Sequence, residues 1–153
     1  MSPEGSSLVF RAVPKSLRLA AGDKAKLKTF ANELSRRAGG GRPFCCLLAD
    51  DETLRGLNRE FRKKDYTTDV LSFPAISPSS ELGELAISIE RAAEQARQYG
   101  HALLDEVRIL MVHGVLHLAG MDHETDRGEM ARAERKLRSD LGLPVGLIAR
   151  ASQ

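Results

Sequence analysis

The most constraining stretch of this sequence is Leu103–Leu118. Ten of its sixteen residues are apolar, too many for a single stripe along one side of a helix. A helix that is apolar nearly all round lies inside a core. The rest of the chain has to wrap it, and 153 residues suffice for a full hydrophobic interior. The expectation is one domain over 1–153, with loose tails at 1–7 and 148–153.

The same stretch opens a cluster of three of the chain's four histidines. His113 and His117 are spaced i, i+4, so they share one helix face. Gly120 suits the left-handed turn that ends a helix, and it lets His123 approach the same point from outside. Burying two imidazoles on one face is costly unless something compensates. A metal ion compensates. Three nitrogen ligands leave a fourth tetrahedral position for water, the pattern of catalytic rather than structural sites. Such an ion lowers the pKa of its water to about 7. One zinc ion suits three imidazoles best, although nickel, cobalt or copper also bind them. His101 lies outside the pattern and is expected in solvent.

Strands and helices are expected on either side. Leu8–Val13 reads as a strand stopped by Pro14, and Asp23–Ala38 as a helix with Asp23 at its N-cap and Gly39 beyond its end. Phe44–Ala49 is a continuous apolar run, the mark of a central strand. Asp50, Asp51 and Glu52 place acids at the positive end of the next helix. Tyr66–Phe73 and Glu84–Ile89 are strand candidates joined by a short, turn-rich link, which favours antiparallel pairing. Polar helices are expected over Glu90–Tyr99 and Asp126–Leu141. The fold class is therefore α+β: a mixed sheet of about four strands packed with about five helices, the central buried helix carrying the metal ligands.

Charge is nearly balanced, with 23 basic and 21 acidic residues for a net +2. Any hold on an anionic polymer must come from clustering. One cluster exists: Arg55, Arg59 and Arg62 at i, i+4 and i+7, continued by Lys63 and Lys64. These are candidate phosphate contacts, with an ordinary solvated helix face as the competing explanation. Cys45 and Cys46 are adjacent and point to opposite faces of a strand, so they do not bridge. That fits a reducing cytoplasm. No signal peptide or membrane span is visible.

Gly114 narrows the chemistry. The spacing of His113, His117, Gly120 and His123 matches the metzincin protease pattern, but that pattern carries a glutamate general base where Gly114 stands. An ordinary peptidase is thereby disfavoured. Glycine inside a helix also costs about 1 kcal/mol against alanine, so close approach of another group is expected there. Asp122 and Glu124 flank His123, and either is placed to orient a ligand from behind; for Asp122 a structural role in the turn is preferred.

These residues resemble a known family. His113-Gly-Val-Leu-His117-Leu-Ala-Gly120-Met-Asp-His123 is similar to the signature of the YbeY endoribonucleases. Asn58–Asp65 with Thr68–Pro74 resembles that family's second hallmark, and Leu82–Ser88 a third block, with Glu84 where Asp is more usual. Met121 stands where an aromatic is common. The resemblance runs from about Cys45 to Leu141. It implies a metal-dependent enzyme that cuts single-stranded RNA, acting in 3′-end maturation of small-subunit ribosomal RNA and in ribosome quality control. The small ribosomal subunit, ribosomal proteins and assembly GTPases are the implied partners. It also implies that the three histidines hold the metal and that the essential arginine is Arg62. Guanidinium suits phosphate geometrically, and a metal suits the charge that develops on non-bridging oxygens. Two nucleophiles stay open, a metal-activated hydroxide and the RNA 2′-hydroxyl. Two other functions stay open as well: a metal-containing ribosome assembly factor without essential catalysis, and a metzincin-like hydrolase of another substrate.

Overall fold

A computed structural model describes residues 5–62, 68–76 and 80–144, the side chain of Arg62 excepted. Its elements in chain order are β1 (Ser7–Arg11), α1 (Ala21–Ala38), β2 (Phe44–Ala49), α2 (Asp51–Arg62), β3 (Val70–Pro74), β4 (Gly83–Ser88), α3 (Ile89–Tyr99), α4 (Leu103–Leu118) and α5 (Glu129–Asp140), with a short 3-10 turn at Lys15–Leu17. The four strands form one mixed sheet in the order β1-β2-β4-β3. β1, β2 and β4 are parallel, and β3 runs antiparallel to β4 at the edge. The α+β class, the five helices and the antiparallel β3–β4 pair are as expected. No described helix is long and apolar enough to cross a membrane.

Strand alternation sorts the side chains onto two faces. Cys46, Leu48, Leu85 and Ile87 point into the main core with Leu27, Ala31 and Leu34 of α1 and most of α4. Leu47, Ala49, Leu71, Phe73 and Ala86 point the other way, against Leu54 and Leu57 of α2. So α4 and α2 cover opposite faces of the sheet. Helix α4 buries eleven residues, including Val107, Leu110, Met111, Val112 and Val115, as its all-round apolarity requires.

Several boundaries differ from expectation for local reasons. Helix α1 starts at Ala21, with Ala20 at its N-cap, and Asp23 sits inside the first turn. There it still faces the positive end of the helix. Helix α5 starts at Glu129 instead of Asp126, because the Asp126 carboxylate accepts from the Gly128 and Met130 amides at 2.9 and 2.8 Å and so holds the loop before the helix. Of the expected loose tail, Ser6 is buried and tied in. Its amide donates to Asn32 Oδ1 at 2.9 Å, and its hydroxyl accepts from the Phe44 amide at 3.1 Å. The expected tail at 148–153, like Lys63, Lys64, Tyr66 and Thr67, lies outside the described residues. His101 is not in solvent. Gly100 adopts a left-handed turn after α3, and the His101 ring lies 2.6 Å from the fully buried carboxylate of Glu106.

Candidate metal centre

Helix α4 ends in a Schellman turn. The Met121 amide donates to the Leu116 carbonyl, the Gly120 amide to that of His117, both at 3.0 Å, and Gly120 takes φ 98°. This six-to-one, five-to-two pattern reverses the chain at a glycine. Beyond it, Asp122 builds the next turn: its carboxylate accepts from the Glu124 amide at 3.0 Å and its carbonyl from the Asp126 amide at 3.1 Å. The result brings His123 back to the helix. The ring centroid of His123 lies 5.3 Å from that of His113 and 5.4 Å from that of His117. One potential ligand atom from each of the three lies within 4.8 Å of the others.

The three rings differ in how they are held. His113 is buried, and its Nδ1 lies 2.9 Å from Oε2 of Glu134, itself 2% exposed. His117 is half-buried, with Nδ1 2.9 Å from the Met121 carbonyl. The Met121 carbonyl can only accept, and the Glu134 carboxylate is an acceptor by type, so these contacts assign the Nδ1 proton as donor and the Nε2 lone pair to the neutral form of each ring. Those two Nε2 atoms face each other at 3.1 Å. Two lone pairs repel at that distance, whereas ligands on a tetrahedral zinc sit about 3.3 Å apart, from bond lengths of 2.0–2.1 Å. His123 leaves a buried Nδ1 with no hydrogen-bond partner among the described residues. Burial holds the His117 imidazole below its usual pKa, and the neighbouring His113 adds to the effect. The neutral, ligating form is thereby favoured. The donor set, the facing lone pairs and the orphaned nitrogen all fit a divalent transition ion.

Glu134 is absent from the sequence reading. Asp122 takes the structural role in the turn preferred for it, its carboxylate held by the Glu124 amide, and neither it nor Glu124 hydrogen-bonds an imidazole among the described residues. A signal for Glu134 does exist. Met130, Glu134 and Leu137 repeat at i, i+4 and i+7 on α5, and all three are buried. An acid on an otherwise apolar stripe has to have a partner inside.

Gly114 is a place of close approach. A Cβ there would lie 2.6 Å from Leu85 Cδ2 and 3.3 Å from Val70 Cγ2, and its carbonyl accepts from the Ser72 hydroxyl at 3.2 Å. Strands β3 and β4 occupy the space that a glutamate would need. The basic residues lie elsewhere. Arg55 and Arg59 are exposed on α2, across the sheet from the histidines. Arg62 is the last residue of that helix. The fold brings the three histidines together and leaves Arg55 and Arg59 on the other face.

Comparison with known proteins agrees with this architecture. Residues 24–142 match the family model described as Endoribonuclease YbeY. A relative from Solibacter usitatus with that name is 54% identical over 97% of both chains. Another from Koribacter versatilis is 48% identical over 89% of both. Among solved structures, that of TM1509 from Thermotoga maritima superposes with a TM-score of 0.58 at 27% identity, covering 84% of this chain and 85% of that one. The chain belongs to the Endoribonuclease YbeY family.

Proposed function

We propose that this chain, as one catalytic domain over 1–153, is a metal-dependent endoribonuclease that cuts single-stranded RNA in the cytoplasm. Its proposed target is the 3′ end of small-subunit ribosomal RNA, with a place in ribosome quality control. The observation that carries this reading is the pair of facing Nε2 atoms of His113 and His117, each oriented by a fixed Nδ1 partner. His113, His117 and His123 would hold one ion, zinc by ligand preference. When bound, that ion supplies positive charge where a phosphodiester develops negative charge.

The chain's own residues divide the remaining work. His113 and His117 present their Nε2 atoms from a buried helix. Gly114, packed against Leu85 and Val70, leaves no room beside the site for a protease's glutamate. That disfavours peptide substrates. Arg62 is assigned to the phosphate backbone, and Arg55, Arg59, Lys63 and Lys64 to sequence-independent contacts along the strand. Since α2 lies across the sheet from α4, an RNA strand touching both would pass around the β3 edge.

Purified protein should cut a single-stranded fragment spanning the 3′ end of small-subunit ribosomal RNA. His113→Ala and Arg62→Ala should lose cutting while keeping their circular dichroism. Unchanged cutting in both variants would sink the reading. If chelation melts the protein yet RNA binding persists at permissive temperature, the ion serves the fold of a non-catalytic assembly factor.

A further inference from the structure

We infer that Glu134 is the positioning residue of this centre: its carboxylate fixes the tautomer and ring angle of His113 and thereby sets how tightly the site takes a divalent transition ion. This inference rests on the reading of the three histidines as an ion site.

The geometry is specific. Glu134 Oε2 lies 2.9 Å from His113 Nδ1, with both side chains almost completely buried. No solvent competes for that hydrogen bond, and a carboxylate acceptor makes it stronger than a neutral one. A ring whose Nδ1 is bound to a carboxylate has its Nε2 lone pair aimed and made more basic. His117 is oriented by a backbone carbonyl, and the Nδ1 of His123 has no hydrogen-bond partner among the described residues. Of the three, His113 is thus the ring anchored by a side chain from another element.

That element is α5. Met130 and Leu137, one turn either side of Glu134, are buried against the core. The Asp126 carboxylate secures the first turn through the Met130 amide. Docking of α5 and orientation of His113 are therefore one event. A buried carboxylate is a poor way to gain stability, since taking a charge out of water costs several kcal/mol. The carboxylate makes sense if it serves the ring.

The test uses the full-length protein with bound metal removed, and zinc as the probe. Zinc affinity is measured by competition with a chromogenic chelator for wild type, Glu134→Leu and Glu134→Gln. Imidazole nitrogen NMR on the metal-free wild type reads the tautomer of His113. The expectation is a proton on Nδ1 of His113. Zinc affinity should fall about 10- to 100-fold in Glu134→Leu. Glu134→Gln, which keeps an acceptor oxygen, should restore part of that loss. Metal-free Glu134→Leu leaves the buried His113 Nδ1–H without its acceptor and should melt below wild type, so zinc affinities are compared at a temperature where every variant keeps its circular dichroism, which separates positioning from folding. Wild-type affinity in Glu134→Leu overturns the inference, as does equal weakening in Glu134→Gln, or a His113 proton on Nε2 in the wild type. The last of these stands even if Glu134→Leu fails to fold. A wild type that takes up no zinc overturns the ion reading itself, and this inference with it.

Discussion

The two faces of the sheet are finished in different ways. On one, α4 is packed between the sheet, α1, α3 and α5, with His113 buried and His117 half-buried near its C-terminal end. On the other, α2 covers only part of the surface. Beside it a groove of about 500 Å³ runs over Val9, Cys45, Leu47 and Phe73, and Phe61 stands 61% exposed at its rim. The cause is in the helices. Helix α4 is apolar on every side, so every side must be covered. Helix α2 has a single stripe at Leu54, Leu57 and Phe61, with arginines on another face, so it can lie on the sheet uncovered. Rigid, dry surroundings suit a site that holds an ion in fixed geometry, and an open, partly basic surface suits contacts that need no fixed register.

The comparison can be broken by substitution. Leu110→Ala, fully buried on α4, should lower the unfolding free energy by about 2–5 kcal/mol, measured by urea titration. Gly114→Ala should come next. Its methyl would press on Leu85 and Val70, and overpacking costs about 1–3 kcal/mol. The gain of about 1 kcal/mol in helix propensity offsets part of that. A Gly114→Ala protein as stable as wild type would show that β4 yields easily.

The pH response of the metal-free protein should come from the α4 face. The His117 pKa is lowered in the folded state, by burial first and by His113 second. The folded chain therefore binds fewer protons here than the unfolded chain. The stability involved is complete above the ordinary imidazole value of about 6.5 and is lost as pH falls through the folded value. Melting temperatures between pH 8 and 5 should fall less steeply in His117→Gln than in wild type. On the α2 face, Arg59→Ala should weaken binding evenly across RNA sequences and reduce the salt slope by about 1. An unchanged slope would remove Arg59 from the interface. The smallest effect belongs to Phe61→Ala, under about 1 kcal/mol in stability, because the ring is mostly in water already.

Much of the site was legible because it is local. The i, i+4 histidines and the turn glycine are separated by less than two helical turns, so helix geometry alone brings His113 and His117 together and Gly120 returns His123. Glu134 was not legible in that way. Its link to His113 depends on how α5 docks, and docking angle is not encoded in the spacing of residues along either helix. Asp122 and Glu124 were nearer in sequence, but the Asp122 carboxylate was already committed to its own turn. His101 shows the same limit: a polar residue after a helix-ending glycine reads as exposed, yet the reversal at Gly100 lays it against buried Glu106.

The sequence by itself determined that Leu103–Leu118 is a buried helix, that three imidazoles converge at its end, and that Gly114 has a close neighbour. Each follows from short-range periodicity or from the conformational demands of a single residue. Only the tertiary structure decided that Glu134 stands behind His113 and that Arg55 and Arg59 of α2 lie on the far side of the sheet. Both depend on which face of a strand a helix is packed against, and that choice is made jointly by side chains far apart in the chain.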